Sequence, residues 1–90
     1  MKLEDRLEIS PEVVAREVGG ETMLLDLASG TYFGLDAVGG RIWQALENGA
    51  SLAEACDQIE GEFDVARAQL ETDVLALAQK IVEQGLAEAA

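Results

Sequence analysis

LLDLASGTYFGLDAVGGRIW, residues Leu24 to Trp43, is the stretch on which the fold turns. It reads as two short strands joined by a tight turn and followed at once by a helix. Alternation puts Leu25, Leu27, Phe33 and Leu35 on one buried face, and Gly30 supplies the positive φ that a turn after Ala28-Ser29 requires. Asp36 is placed to cap the helix. Gly39-Gly40 in its first turn costs roughly 1 kcal/mol per glycine relative to alanine, so another segment is expected to press closely on that turn.

Before this stretch, Val13 to Val18 reads as a strand, Gly19-Gly20 as a two-residue hairpin turn, and Thr22 to Leu27 as the partner strand; Thr31 to Leu35 is then the third. Everything after Asp36 has helical character. The sheet therefore keeps at least one edge that no later strand covers, and an open edge is either blunted or used. Residues 1–12, polar with isolated Leu3, Leu7 and Ile9, read as a flexible N-terminal arm, and residues 13–90 as the folded domain.

Beyond it, Ala37 to Asn48 forms the first helix, with Val38, Ile42, Ala45 and Leu46 on its apolar side, Trp43 as a core anchor, and Gly49 at the position that ends a helix. Ser51-Leu52-Ala53-Glu54 is a capping box opening a second helix, whose buried side carries Leu52, Ala55, Cys56 and Ile59. Asp64 is placed to cap a third helix reaching Gln84, ended by Gly85 with Leu86 folding back on Ile81. Its two apolar stripes, Leu70-Val74-Leu77-Ile81 and Leu75-Ala78-Val82, span more than the about 100° that one packing surface requires. Two readings stay open: both stripes are buried within the domain, or one borders an exposed groove. The outline is α+β and winged helix-turn-helix-like, a three-stranded antiparallel sheet followed by three helices.

Composition narrows the function. Ninety residues make one domain, and the formal net charge of −12 with six scattered basic residues opposes a phosphate backbone. A DNA-reading helix should present basic or amide side chains at its start, whereas the third helix opens with DVARAQLETD, where only Arg67 and Gln69 qualify. No apolar run approaches the about 20 residues of a membrane span, and MKLEDRLE lacks the features of a signal peptide, so a cytoplasmic protein is expected. There is no histidine and a single cysteine, Cys56, flanked by carboxylates that would not lower its pKa. Metal binding could rest only on carboxylates, and no pair of them is spaced for acid–base work.

What remains is a binding module. An open strand edge beside a long helix with surplus apolar surface accepts an extended peptide: main chain pairs with the edge while alternate side chains enter pockets against the helix. Thr31 to Leu35 is the candidate edge. Tyr32 and Gly34 would share the face opposite Phe33 and Leu35, although spacing alone also allows Tyr32 as an ordinary surface residue.

The order of the segments LLDLASGTYFGLD, GGRIWQALENG, SLAEACDQI and DVLALAQKIVEQGL resembles the PqqD-like proteins, the stand-alone form of the recognition element for ribosomally made, post-translationally modified peptides (RiPPs). The resemblance runs from about Val13 to Leu86. Its most telling parts are Leu25-Asp26, the pattern Gly30-x-Tyr32-x-x-Leu35, Ile42-Trp43, Asp73-Val74 and Gly85-Leu86. It implies a non-catalytic, cofactor-free protein that binds a precursor's leader peptide as an added strand between strand three and helix three, and holds it for a leader peptidase, a cyclase or another modifying enzyme. By that resemblance the peptide-binding residues are Thr31, Tyr32, Phe33, Gly34 and Leu35 on the strand and Leu70, Asp73, Val74 and Leu77 on the helix. Leu27-Ala28-Ser29-Gly30 stands where the pyrroloquinoline quinone biosynthesis member would have a Pro-Glu-Gly segment, and the LLD-x-x-SG-x-Y form is closer to lasso-peptide elements. The alternatives are a pyrroloquinoline quinone biosynthesis chaperone and a structural or regulatory interaction protein whose arm, through Leu3, Leu7 and Ile9, fills the groove. In either peptide-binding case the negative field would favour a ligand or enzyme partner with basic residues.

Overall fold

The computed structural model describes all 90 residues. Strand β2 (Val13–Val18) and strand β3 (Glu21–Asp26) follow a short β1 (Leu7–Ile9) and are joined by Gly19-Gly20, both at positive φ, +60° and +85°. Strand β4 (Thr31–Leu35) completes an antiparallel sheet in the order β2-β3-β4. The turn into β4 is built on Asp26. Its carboxylate accepts from the Ala28 N–H (3.1 Å) and the Ser29 hydroxyl (2.9 Å), which satisfies a side chain that is itself buried.

That turn corrects the expected buried face. Asp26 pairs with Thr31, leaving four residues between them, so Leu24 lies opposite Phe33 and Thr22 opposite Leu35. Leu24 is fully buried, Leu25 pairs with Tyr32 on the outer face, and Leu27 sits in the turn, 55% exposed. Leu25 and Leu27 would have joined Phe33 and Leu35 only across a three-residue turn. A slip of one residue exchanges the two faces of a strand.

Helix α1 (Ala37–Glu47) starts where Asp36 Oδ1 accepts from the Gly39 N–H at 2.7 Å. The segment pressing on Gly40 is β3: a Cβ there would collide with Thr22 Oγ1 and lie 3.0 Å from Thr22 Cβ, whereas one on Gly39 would meet Asp36 Oδ1 at 3.2 Å and Leu35 Cβ at 3.4 Å. Helix α2 (Leu52–Ile59) carries the capping box, with the Glu54 N–H donating to Ser51 Oγ (3.1 Å) and the Ser51 N–H to Glu54 Oε1 (2.9 Å). These bonds, with Arg6 nearby, hold the Glu54 carboxyl below its ordinary range.

Helix α3 (Arg67–Glu83) begins later than expected, and Asp64 does not cap it. Ala66 is the N-cap and offers no side-chain bond, while a tight turn from the Phe63 carbonyl to the Val65 N–H (2.9 Å) folds Phe63 and Val65 onto the core. The start is fastened instead by Arg67, which bonds Asp57 (2.8 Å), Glu60 (2.9 Å) and Glu71 (2.9 Å) and so ties α3 to α2. At the other end the Leu86 N–H donates to the Ile81 carbonyl and the Gly85 N–H to that of Val82, both at 3.0 Å, the expected ending around Gly85.

The N-terminal residues differ from a loose arm. Leu7 is buried in the core, and β1 pairs antiparallel with a terminal strand β5 (Ala87–Ala89), Leu7 opposite Ala89 and Ile9 opposite Ala87. The opening residues also serve α2. Carbonyls of Leu3 and Asp5 accept from the Ala53 (2.7 Å) and Leu52 (2.9 Å) N–H groups that the first turn of a helix leaves free, and Arg6 pairs with Glu54 at 2.9 Å. Trp43 and Cys56 lie in the core, as their spacing suggested, and burial pushes the Cys56 thiol upward against the lesser pull of Arg67.

Candidate functional site

The turn geometry decides which main-chain groups the sheet leaves free. A two-residue turn with both residues at positive φ closes on a hydrogen-bonded pair, here Val18 and Glu21, and such pairs alternate along the ladder. Met23 and Leu25 therefore bond to β2, while Thr22, Leu24 and Asp26 bond to Leu35, Phe33 and Thr31 of β4. Tyr32 and Gly34 are left with N–H and C=O groups directed to the open edge of β4, two donors and two acceptors in line.

Facing that edge is α3. Asp73, Leu77, Lys80 and Gln84, spaced by four, three and four residues, form one stripe across from Phe33, Gly34 and Leu35. The cleft has two parts. The wider, about 410 Å³, is bordered by Gly34, Leu35, Asp36, Val38, Asp73 and Leu77 with Val65 at its end; the narrower, about 60 Å³, is lined by Leu24, Phe33, Ile81 and Leu86 beneath Lys80 and Gln84. Apolar side chains make most of this lining. Its charge is divided along the helix, with Asp36 and Asp73 toward the C-terminal end of β4 and Lys80, which enters no ion pair, toward the other.

Both carboxylates are engaged, Asp36 with the Gly39 N–H and Asp73 with Gln69 Nε2 at 2.8 Å. Tyr32 is 66% exposed on the outer face, paired with Leu25. A Cβ on Gly34 would meet only Met23 Sδ, at 3.6 Å, so this glycine is not demanded by packing.

Of the helix residues expected at the site, Asp73 and Leu77 border the cleft. Leu70 and Val74 do not; both are fully buried in the core of the domain. Lys80, Gln84, Val65 and Leu86 were not anticipated. Continuing the stripe from Leu77 by helical steps reaches Lys80 and Gln84, a signal present in the sequence, whereas Val65 and Leu86 arrive by loop folding. The N-terminal segment is bonded to α2 and β5, and Leu3, Leu7 and Ile9 are not among the residues that line the cleft.

A family model described as coenzyme PQQ synthesis protein D (PqqD) matches residues 21–87. The chain belongs to the PqqD family. Among solved structures, it is similar to one described as TbiB1 in complex with the TbiA(beta) leader peptide, with 42% identity over 90% of this chain and 94% of that one and a TM-score of 0.81. A lasso peptide synthetase B1 complexed with the leader peptide is also similar, with 30% identity, coverage of 92% and 98%, and a TM-score of 0.81. No curated protein matches. No helix is long and apolar enough to cross a membrane.

Proposed function

We propose that this PqqD-family protein is a non-catalytic RiPP recognition element that captures the leader peptide of a ribosomally made precursor by strand addition, and presents it to the leader peptidase and cyclase of a lasso-peptide pathway. The observation that carries the reading is the pairing of an open strand edge, with outward main-chain groups at Tyr32 and Gly34, and an apolar cleft closed on its far side by the Asp73–Gln84 stripe of α3. Main-chain pairing supplies affinity that depends little on ligand sequence, and the two parts of the cleft select side chains at alternate ligand positions. The two solved relatives, complexes with leader peptides, support the same use of the fold.

A winged-helix DNA reader is disfavoured further by Arg67. The one guanidinium at the head of α3 is committed to three carboxylates, which hold its pKa above the ordinary arginine value, led by the bond to Asp57. The proposal is tested by fluorescence anisotropy with a labelled leader peptide from the protein's own precursor and, as a heterologous probe, the TbiA(beta) leader. Saturable binding of the first, reduced in the Leu77→Asp variant, supports it; no binding of either peptide by folded protein contradicts it.

A further inference from the structure

The sheet has a second open edge. The order β2-β3-β4 leaves β2 unpaired along its outer side, and the alternation fixed at Val18 and Glu21 directs the N–H and C=O groups of Ala15 and Glu17 outward there. This edge also overlooks a cleft. A space of about 400 Å³ opens between β2 and α1, with Ala15 and Glu17 on one wall, Gln44 and Glu47 on the other, and Trp43 among the residues at its base. Glu17 and Glu47 enter no ion pair, and neither does Arg16 in the same lining, whereas Arg41 is already bound by Glu62 at 2.8 and 3.0 Å, so two unpaired carboxylates are set against one unpaired guanidinium. Val18 at the strand end is 61% exposed.

We propose that the β2 edge is a second strand-addition site, and that its occupant is an extended segment, bearing lysine or arginine, of the enzyme that processes the leader. The surplus of unpaired carboxylate, Glu17 and Glu47 against Arg16, and a net charge of −12 favour a basic partner and oppose a second copy of this chain, whose own edge would bring the same surplus and the same net charge. The two sites lie on opposite edges of one sheet, so leader on β4 leaves β2 free. A leader and an enzyme segment bound together would be joined through the three strands between them. The inference rests on the leader-binding reading for the identity of its partner and on a different edge for its geometry.

The test uses ¹⁵N-labelled protein titrated separately with the leader peptide of its own precursor and with the purified leader peptidase of the same pathway. The chain has a single tryptophan, so one indole signal reports on the β2 cleft; its Nε1–H is buried with no protein acceptor. The peptidase is expected to shift the Ala15 and Glu17 amides and the indole signal, and the leader to shift Tyr32 and Gly34 while sparing β2. Ala15→Pro removes an outward N–H without touching the ladder to β3, and is expected to weaken the peptidase by about tenfold or more while leaving leader affinity within about twofold. The proposal is overturned if peptidase responses are confined to β4 or absent, if Ala15→Pro binds peptidase like the wild type, or if β2 signals move with protein concentration alone. A β2 response to peptidase without any β4 response to leader would instead refute the leader reading and leave this one standing.

Discussion

Gly34 on β4 and Leu77 on α3 border the same cleft in both of its parts, one contributing main chain and the other an apolar side chain. The division separates affinity from selectivity. Gly34→Pro removes an N–H that points to the open edge and is expected to cost about tenfold or more in leader affinity, with thermal unfolding little changed. Phe33→Pro removes an N–H bonded to Leu24 and should unfold the sheet. Anisotropy and thermal melts of the two variants distinguish these outcomes.

Leu77 and Leu70 stand on one helix but in different surroundings. Leu77 is half-buried at the cleft, so Leu77→Ala should weaken leader binding by about 1–2 kcal/mol, roughly tenfold, with a smaller loss of stability. Leu70 is fully buried, so Leu70→Ala should lower stability by about 2–5 kcal/mol while its folded fraction binds leader normally. Urea titrations beside binding isotherms read both quantities.

The contact between Thr22 and Gly40 sets how closely α1 approaches β3. Gly40→Ala would gain about 1 kcal/mol in helix propensity, but the added carbon has no room, and a net loss of about 1–3 kcal/mol is expected. Thr22→Ala in the same chain removes the nearest atom and should recover part of that loss, measurable as a non-additive double-mutant cycle.

Glu54 gives a pH signature. Its folded carboxyl lies below the ordinary value of 4.5, so its contribution is complete above that value and is lost as pH falls through the lower, folded one. The difference in melting temperature between wild type and Glu54→Gln should therefore be constant near neutrality and shrink in acid below pH 4.5. A difference that stayed constant to strongly acidic pH would sink this assignment.

Cys56 is fully buried and its thiol is raised by burial, so a thiol reagent should modify it only as fast as the domain opens. Modification of native protein at the rate of an unfolded control would show that the α2–α3 packing is wrong.

Much of this was legible in the chain because the signals are local. Asp36, Ser51 with Glu54, and Gly85 with Leu86 mark helix ends through bonds to residues within a few positions, and all three form as their spacing suggested. The strand edge at Thr31 to Leu35 was visible for the same reason. What escaped depends on distant partners. Three-residue strands such as β1 and β5 are too short for an alternation signal and exist only because residues 7–9 meet residues 87–89. The parity of Leu24 depended on whether Asp26 would hold a turn of three or four residues, and the true start of α3 on an arginine reaching back to Asp57 and Glu60. Within the site, Leu70 and Val74 looked like cleft residues because one broad apolar arc holds both the buried face and its border. Only the packing of α2 and β4 shows where the border runs.

The most direct test of strand addition is a backbone amide titration of the labelled protein with the leader peptide of its own precursor. Strand addition at β4 gives the largest shifts at Tyr32 and Gly34, with slowed exchange of those two amides, smaller shifts at Asp73, Leu77 and Lys80, and none at Leu7–Ile9. Shifts that leave β4 unmoved, whatever the affinity, would contradict it.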